Sequence, residues 1–405
     1  MFEIGKSWER LKDDDKAVAI YQSLIAKFPA SPYKPKALNQ LGLISYNRND
    51  YNKSIEYYKQ VVENYPNSAD AKGALGGIRN NYVETNKVGE YIAFTKKLGQ
   101  SATPSENEQD SLTYYAAEKL FMNKDLRAKE ELRNYIINFP SGNFALNVHF
   151  YKGECELKDN IPDEALLDYE YVLAQPDNVF TENSLINASG LAYQAKDYKD
   201  ALGYYERLET VSNNNSNMLL SLTGRLRCQY ELKDYDAVTK VGWKIRSMDK
   251  IPAELDREAC FKSAKAYVVL NDPAKAIPLW RKLSNDTKSL EGAESKYRVC
   301  ENYFAANKLK EAENEVMDFI EKSTPHQYWL AKSFILLARV YEKNNDLFQA
   351  THTLKSTIEN YEQKGDGIIE EATQYLQELE AKDAANQVPA DVKATPSTVA
   401  KPKKK

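Results

Sequence analysis

The sequence is poor in the residues that do chemistry. Among 405 residues there are three histidines and four cysteines. Cys155, Cys228, Cys260 and Cys300 stand alone, with no CxxC pair and no histidine at zinc-ligand spacing. They read as free thiols in small packing sites. His149 falls in a helical stretch near Glu154 and Cys155, but no further ligands converge on it, so it reads as a packed or solvated side chain. His326 sits in a turn and His352 among polar neighbours. No metal and no cofactor is expected.

Motifs for catalysis are missing as well. There is no GxxxxGK(S/T) phosphate cradle, and the glycines Gly73, Gly76 and Gly77 read as packing residues of a helix. No GxSxG elbow and no HExxH is present. Carboxylate pairs such as Glu130–Glu131 and Glu370–Glu371 read as solvated faces. The chain is therefore expected not to be an enzyme.

No apolar run approaches the ~20 residues that a membrane helix needs. No basic stretch followed by an apolar one opens the chain after Met1, so no secretory signal is legible. The net charge of −4 is unevenly spread: from Gln387 onward five lysines face Asp391 alone, leaving about −8 on the rest. That balance speaks against a nucleic-acid-binding body, where a basic stripe is needed.

What the sequence does have is a repeat. Gly5-x-x-Trp8, Ala17-x-x-x-Tyr21-x-x-Leu24 and Phe28-Pro29 are matched by Gly42-x-x-Ser45, Ser54-x-x-x-Tyr58-x-x-Val61 and Tyr65-Pro66, each pair 37 residues apart. The second-helix anchor recurs at Ala17, Ser54, Val88, Ala128, Ala165, Ala201, Val238, Ala276, Ala312 and Ala350. Nine steps over 333 residues give a mean of 37, so ten units fill nearly the whole chain.

Each unit reads as helix, tight turn, helix. The turns Asn49-Asp50, Lys196-Asp197, Lys233-Asp234, Asn271-Asp272 and Asn345-Asp346 supply left-handed backbone and an N-cap for the following helix. Pro29, Pro66, Pro140 and Pro176 stop the second helices. Small residues at Gly5, Gly42, Gly76, Ala116, Ala264, Cys300 and Ala338 allow close helix approach. Tyr21, Tyr58, Tyr169, Tyr205 and Trp280 then fill the space to the next unit. The expected fold is all-α, a right-handed superhelical solenoid of about ten helix pairs.

The spacing, the small-residue pair, the aromatic and the terminal proline resemble the tetratricopeptide repeat family over roughly residues 1–365. The segment Asn49–Leu75 further resembles repeats of bacterial envelope proteins, of the Tol-Pal coordinator and outer-membrane assembly lipoprotein kinds. That narrower likeness implies a periplasmic or outer-membrane-associated setting in preference to the cytoplasm. Repeats three and seven depart from the pattern, with Val88 and Val238 at the anchor.

The organisation expected is a sub-array of repeats over 1–98, a polar joint over 99–111 where the chain bends, and a second sub-array over 112–365. An acidic capping helix over 366–385 and a disordered lysine-rich tail over 386–405 follow. Gly5 lies so close to Met1 that the first helix reads as short of a turn, which suggests a start within a longer array.

In the family the first helix of each pair lines a concave groove. Carried onto this chain, that places Tyr46, Phe150, Tyr193, Arg227, Tyr230, Phe261, Lys265, Tyr297, Glu301, Phe304 and Arg339 toward a ligand. Aromatics mixed with both signs of charge suit a peptide or protein partner. The resemblance thus implies a scaffold holding a protein or peptide partner, with no nucleic acid and an oligomeric state left open. The alternative is an accessory or regulatory domain of a larger carbohydrate- or peptidoglycan-handling protein.

Overall fold

A computed structural model describes residues 1–387. The described residues contain 21 helices and no strand. They divide into two compact units, Met1–Leu191 and Ala192 onward. The division falls inside helix α11 (Thr181–Gln194).

The first unit opens with the pairs α1 (Phe2–Arg10) and α2 (Asp14–Lys27), α3 (Lys34–Asn47) and α4 (Tyr51–Asn64). Next come α5 (Ala69–Glu84) and α6 (Val88–Leu98), α7 (Glu106–Met122) and α8 (Ala128–Asn138), and α9 (Ala145–Lys158) and α10 (Pro162–Leu173). The second unit holds α12 (Tyr198–Val211), α13 (Asn215–Glu231), α14 (Tyr235–Arg246), α15 (Ala253–Val269) and α16 (Pro273–Leu283). It continues with α17 (Leu290–Ala305), α18 (Leu309–Lys322), α19 (Gln327–Lys343), α20 (Leu347–Asn360) and α21 (Ile368–Gln387).

The turn inside each pair has one chemical solution. Lys12, Asn49, Asn86, Lys124, Asn160, Lys196, Lys233, Asn271, Asn307 and Asn345 all take left-handed backbone, with φ between 55° and 62°. One such residue ends a first helix so that the chain can reverse. In five of these turns the following aspartate caps the second helix: Asp13 accepts from the Lys16 amide, Asp50 from that of Lys53, Asp197 from that of Asp200, Asp234 from that of Ala237 and Asp346 from that of Gln349. Asp272 departs from this expectation. Pro273 occupies the first helical position, and Asp272 makes no capping bond but pairs with Lys275 at 2.7 Å.

All ten anchor positions are buried, the valines included. Tyr21, Tyr58, Tyr169, Tyr205 and Trp280 are buried too, and glycines lie against the four tyrosine rings. A Cβ on Gly42 would lie 2.7 Å from one edge of the Tyr58 ring, and one on Gly77 2.5 Å from the other. The ring is thus slotted between the first helix of its own pair and that of the next. Gly77 therefore fills the role that the sequence pattern gave to Gly76, which has nothing within 4 Å of its would-be Cβ.

The polar stretch after Gly99 is loop only as far as Ser105. Ser105 accepts from the Glu108 amide and so starts α7 inside the segment read as a joint. At the other end α21 covers the last pair, with Ile368, Ala372, Tyr375 and Leu379 buried. Of the tail expected to be disordered over 386–405, residues 386 and 387 belong to α21, and the rest lies outside the described residues.

Consecutive first helices touch: α3 with α5, α5 with α7 and α7 with α9 in one unit, α13 with α15, α15 with α17 and α17 with α19 in the other. Among the described residues of each unit, consecutive second helices make no contact of that extent. Within each unit the stack is therefore tighter along its first helices, which form the inner face.

Candidate functional site

The inner face is laced by ion pairs from one first helix to the next. Arg79 meets Glu108 and Lys119 meets Glu84 between α5 and α7. Arg227 grips Glu258 with two nitrogens at 2.7 and 2.9 Å between α13 and α15. Lys265 reaches Glu294 at 3.2 Å between α15 and α17, and Lys332 and Arg339 share Glu371 between α19 and α21.

In the second unit this face opens into a cleft of about 510 Å³. Its floor is Trp280, Ile277 and Pro273 of α16, and Val268 and Val269 form one wall. Tyr230, Lys265, Arg298, Glu301 and Asn302 supply the polar side. Val268, Val269 and Leu270 are 52%, 60% and 44% exposed, three apolar neighbours in water just before the Asn271 turn. A contiguous exposed apolar surface rimmed by charge is the form an interaction site takes. A second cleft of about 470 Å³ lies among α18, α19 and α20, lined by Met317, Ile320, Phe334 and His352.

The structure brings three of the sequence-predicted residues, Tyr230, Lys265 and Glu301, to this cleft. Phe261 stands behind it, edge-on to Trp280 at 5.6 Å with the Lys265 ammonium over its ring at 4.5 Å. Arg227 and Arg339 are exposed on the same face and engaged with Glu258 and Glu371. Phe304 is half-buried under the Lys343 ammonium, at 4.3 Å. Tyr46 packs edge-on against Tyr51 in the first unit, and Tyr193 lies beside Tyr198 in the second.

Two predicted residues need correction. Phe150 and Tyr297 are each only 8% exposed. Phe150 stacks on Phe180 at 4.4 Å, and Tyr297 lies 5.6 Å from Trp329 while its hydroxyl donates to Glu301. Both rings fill gaps between helices, and burial pushes the Tyr297 hydroxyl well above its ordinary range.

Sequence reasoning missed Val268, Val269, Arg298 and Asn302, which line the cleft. A signal for the first two existed. Val268-Val269-Leu270 sets three branched apolar residues at a helix end where each of the other turns has at least one polar or small residue.

His149 also has a setting the sequence did not disclose. Its Nδ1 lies 2.6 Å from Asp168, and its ring stacks on Tyr171 at 3.7 Å. Lys152 bonds both Asp168, at 2.8 Å, and Glu156. Burial, followed by the neighbouring Asp168 carboxylate, pushes the Glu156 carboxyl up to about 7. Burial also raises Asp168, but bonds from His149, Glu156 and Lys152 outweigh it and hold that carboxyl low. Among the described residues no group of three or more His, Cys, Asp or Glu is placed to hold a metal ion. The cysteines are free thiols; burial pushes Cys228 up to about 11 and Cys300 to about 12.

Helix pairs stacked with their first helices inward define an α-helical repeat protein. The repeats can be named at the start of the chain, where two models described as tetratricopeptide repeat match residues 1–31 and 35–68. Residues 1–31 and 35–68 thus match the tetratricopeptide repeat, a module that in general serves protein–protein contact. No curated protein matches the chain. Solved structures that it matches include a tetratricopeptide repeat protein from Parabacteroides merdae ATCC 43184, at 15% identity over 65% of this chain and 98% of that one, with a TM-score of 0.33. Yeast Tom70 matches at 13% identity over 97% of each chain, with a TM-score of 0.36. Among the described residues no helix is long and apolar enough to cross a membrane.

Proposed function

We propose that this chain is a non-enzymatic scaffold that holds a protein segment in the first-helix cleft of its second unit. The observation that carries this is the junction of exposed apolar side chains, Val268 and Val269, with a floor of Ile277 and Trp280 and a charged rim of Lys265, Arg298 and Glu301. Large aromatic and arginine side chains in such a setting are the usual anchors of protein interfaces. A photo-reactive benzoylphenylalanine at position 269 tests it in the producing cell. The proposal expects one dominant cross-linked protein from 269 and none from the same probe at the outward-facing Phe348. Cross-links from 348 alone would overturn it.

The resemblance of Asn49–Leu75 to envelope repeats favours a bacterial cell envelope as the setting of such a partner. Cell fractionation tests that part: recovery in the periplasm or with the outer membrane supports it, and recovery with cytoplasmic proteins sinks it.

A further inference from the structure

The charges around the cleft leave one cation without a close partner. Arg227, Lys262, Lys265 and Arg298 stand among the carboxylates Glu258, Glu294 and Glu301, with the exposed Glu231 acting on Lys262 from further off. Arg227 takes both oxygens of Glu258. Lys265 takes Glu294, and Arg298 takes Glu301 at 2.9 Å with Glu294 behind it at 3.7 Å. Lys262 is left with a glancing approach to Glu258, 3.9 Å away and already occupied.

Lys262 is also held where a counter-ion would count. Its side chain is only 18% exposed, and its Nζ lies 4.1 Å above the ring of Tyr230, which lines the cleft. Burial, aggravated by the charges of Arg227 and Lys265, holds the ammonium below the usual lysine range; Glu258 and the exposed Glu231 offset this only in part. On α15 Lys262, Lys265 and Val269 succeed one another at helical spacing, so the cation and the apolar wall share one face.

We infer that the cleft takes a protein segment in which an aspartate or glutamate side chain lies beside a large apolar one, the carboxylate docking on Lys262 and the apolar group on Val269, Ile277 and Trp280. This rests on the first-helix cleft being the binding site and adds the chemistry of what enters it. An incoming carboxylate gives Lys262 the close partner it lacks. It does so in a partly desolvated place, where a charge-assisted hydrogen bond is stronger than at an open surface.

The test is an array of dodecapeptides bound to the full chain, acetylated and amidated so that side chains carry the only carboxylates. Each peptide has one leucine or tryptophan, with glutamate or glutamine stepped through the flanking positions. A third set keeps glutamine and has a free C-terminal carboxylate. Glutamate peptides are expected to bind about tenfold tighter than their glutamine twins, with the advantage shrinking as salt rises. Lys262→Met should erase that advantage and keep the apolar binding, and Lys262→Arg should retain it.

Equal binding of glutamate and glutamine peptides, an advantage that survives Lys262→Met, or a preference for the terminal carboxylate alone would each overturn the inference. Val269→Ser separates the two readings, since it should weaken every peptide whatever its charge. If Val269→Ser binds as the unaltered chain does, or if no peptide is retained at all, the cleft itself is the wrong site. Far-UV melting of each variant confirms that the helices are intact, and Lys262→Gln replaces Lys262→Met if the latter melts early.

Discussion

Tyr58 shows how one side chain sets the distance between repeats. Its ring fills a slot whose walls are Gly42 and Gly77, and neither wall has room for a methyl group. Gly77→Ala should destabilise the chain by about 1–3 kcal/mol, because the ring must leave its rotamer or the helices must part. Gly76→Ala, one residue away and facing open space, should instead stabilise it by about 0.5–1 kcal/mol through helix propensity. Urea melting of the two variants checks this, and losses of similar size would show that no slot exists. The sequence carried the repeat period but not this choice. A slip of one residue turns a helical position by about 100°, which changes its face entirely. The same insensitivity put Phe150 and Tyr297 in the groove. Spacing along a first helix does not say whether a ring meets water or the next helix, and Phe180 and Trp329 are the neighbours that decide.

Between elements, the buried charges of α9 and α10 make stability depend on pH. Glu156 titrates near 7 in the folded chain against an ordinary value near 4.5. The folded state therefore holds a proton that the unfolded state has released between those values. That contribution to stability is full below about 4.5 and is lost as pH rises through 7. Glu156→Gln, which resembles the protonated acid, should match the unaltered chain near pH 4 and exceed it at pH 8 by roughly 1–3 kcal/mol. Thermal melting across this range checks it, and a difference that grows toward acid would contradict it. Nothing in the sequence joined His149 to Asp168, because the contact spans a turn and depends on which faces of α9 and α10 meet.

The last helix offers a second prediction at this scale. Leu379 of α21 is fully buried in the terminal cluster. Leu379→Ala should cost about 2–5 kcal/mol, felt first in the last pair because a repeat touches only its neighbours. Hydrogen exchange should quicken in α19 to α21 and stay unchanged in α1 to α4; uniform quickening would mean that the array unfolds as one body.

For the whole chain, the repeat architecture was open to reading from sequence because its causes recur. A small anchor, an aromatic four residues on, and an Asn or Lys turn with left-handed backbone return in unit after unit. The functional face was less open because it is made of exceptions. The meaning of the exposed Val268-Val269 pair and of Lys262, which lacks a close partner, depends on what α13, α16 and α17 bring beside them.

The sharpest test compares the two clefts of the second unit for affinity toward the protein captured through position 269. One set of substitutions, Val268→Ser, Val269→Ser and Ile277→Ser, alters the first-helix cleft. The other, Met317→Ser, Ile320→Ser and Phe348→Ser, alters the second-helix side. Measured by calorimetry with the intact chain, the first set should weaken binding by about tenfold or more per substitution, and the second should leave it unchanged. Loss of affinity confined to the second set would contradict the placement of the partner on the first helices.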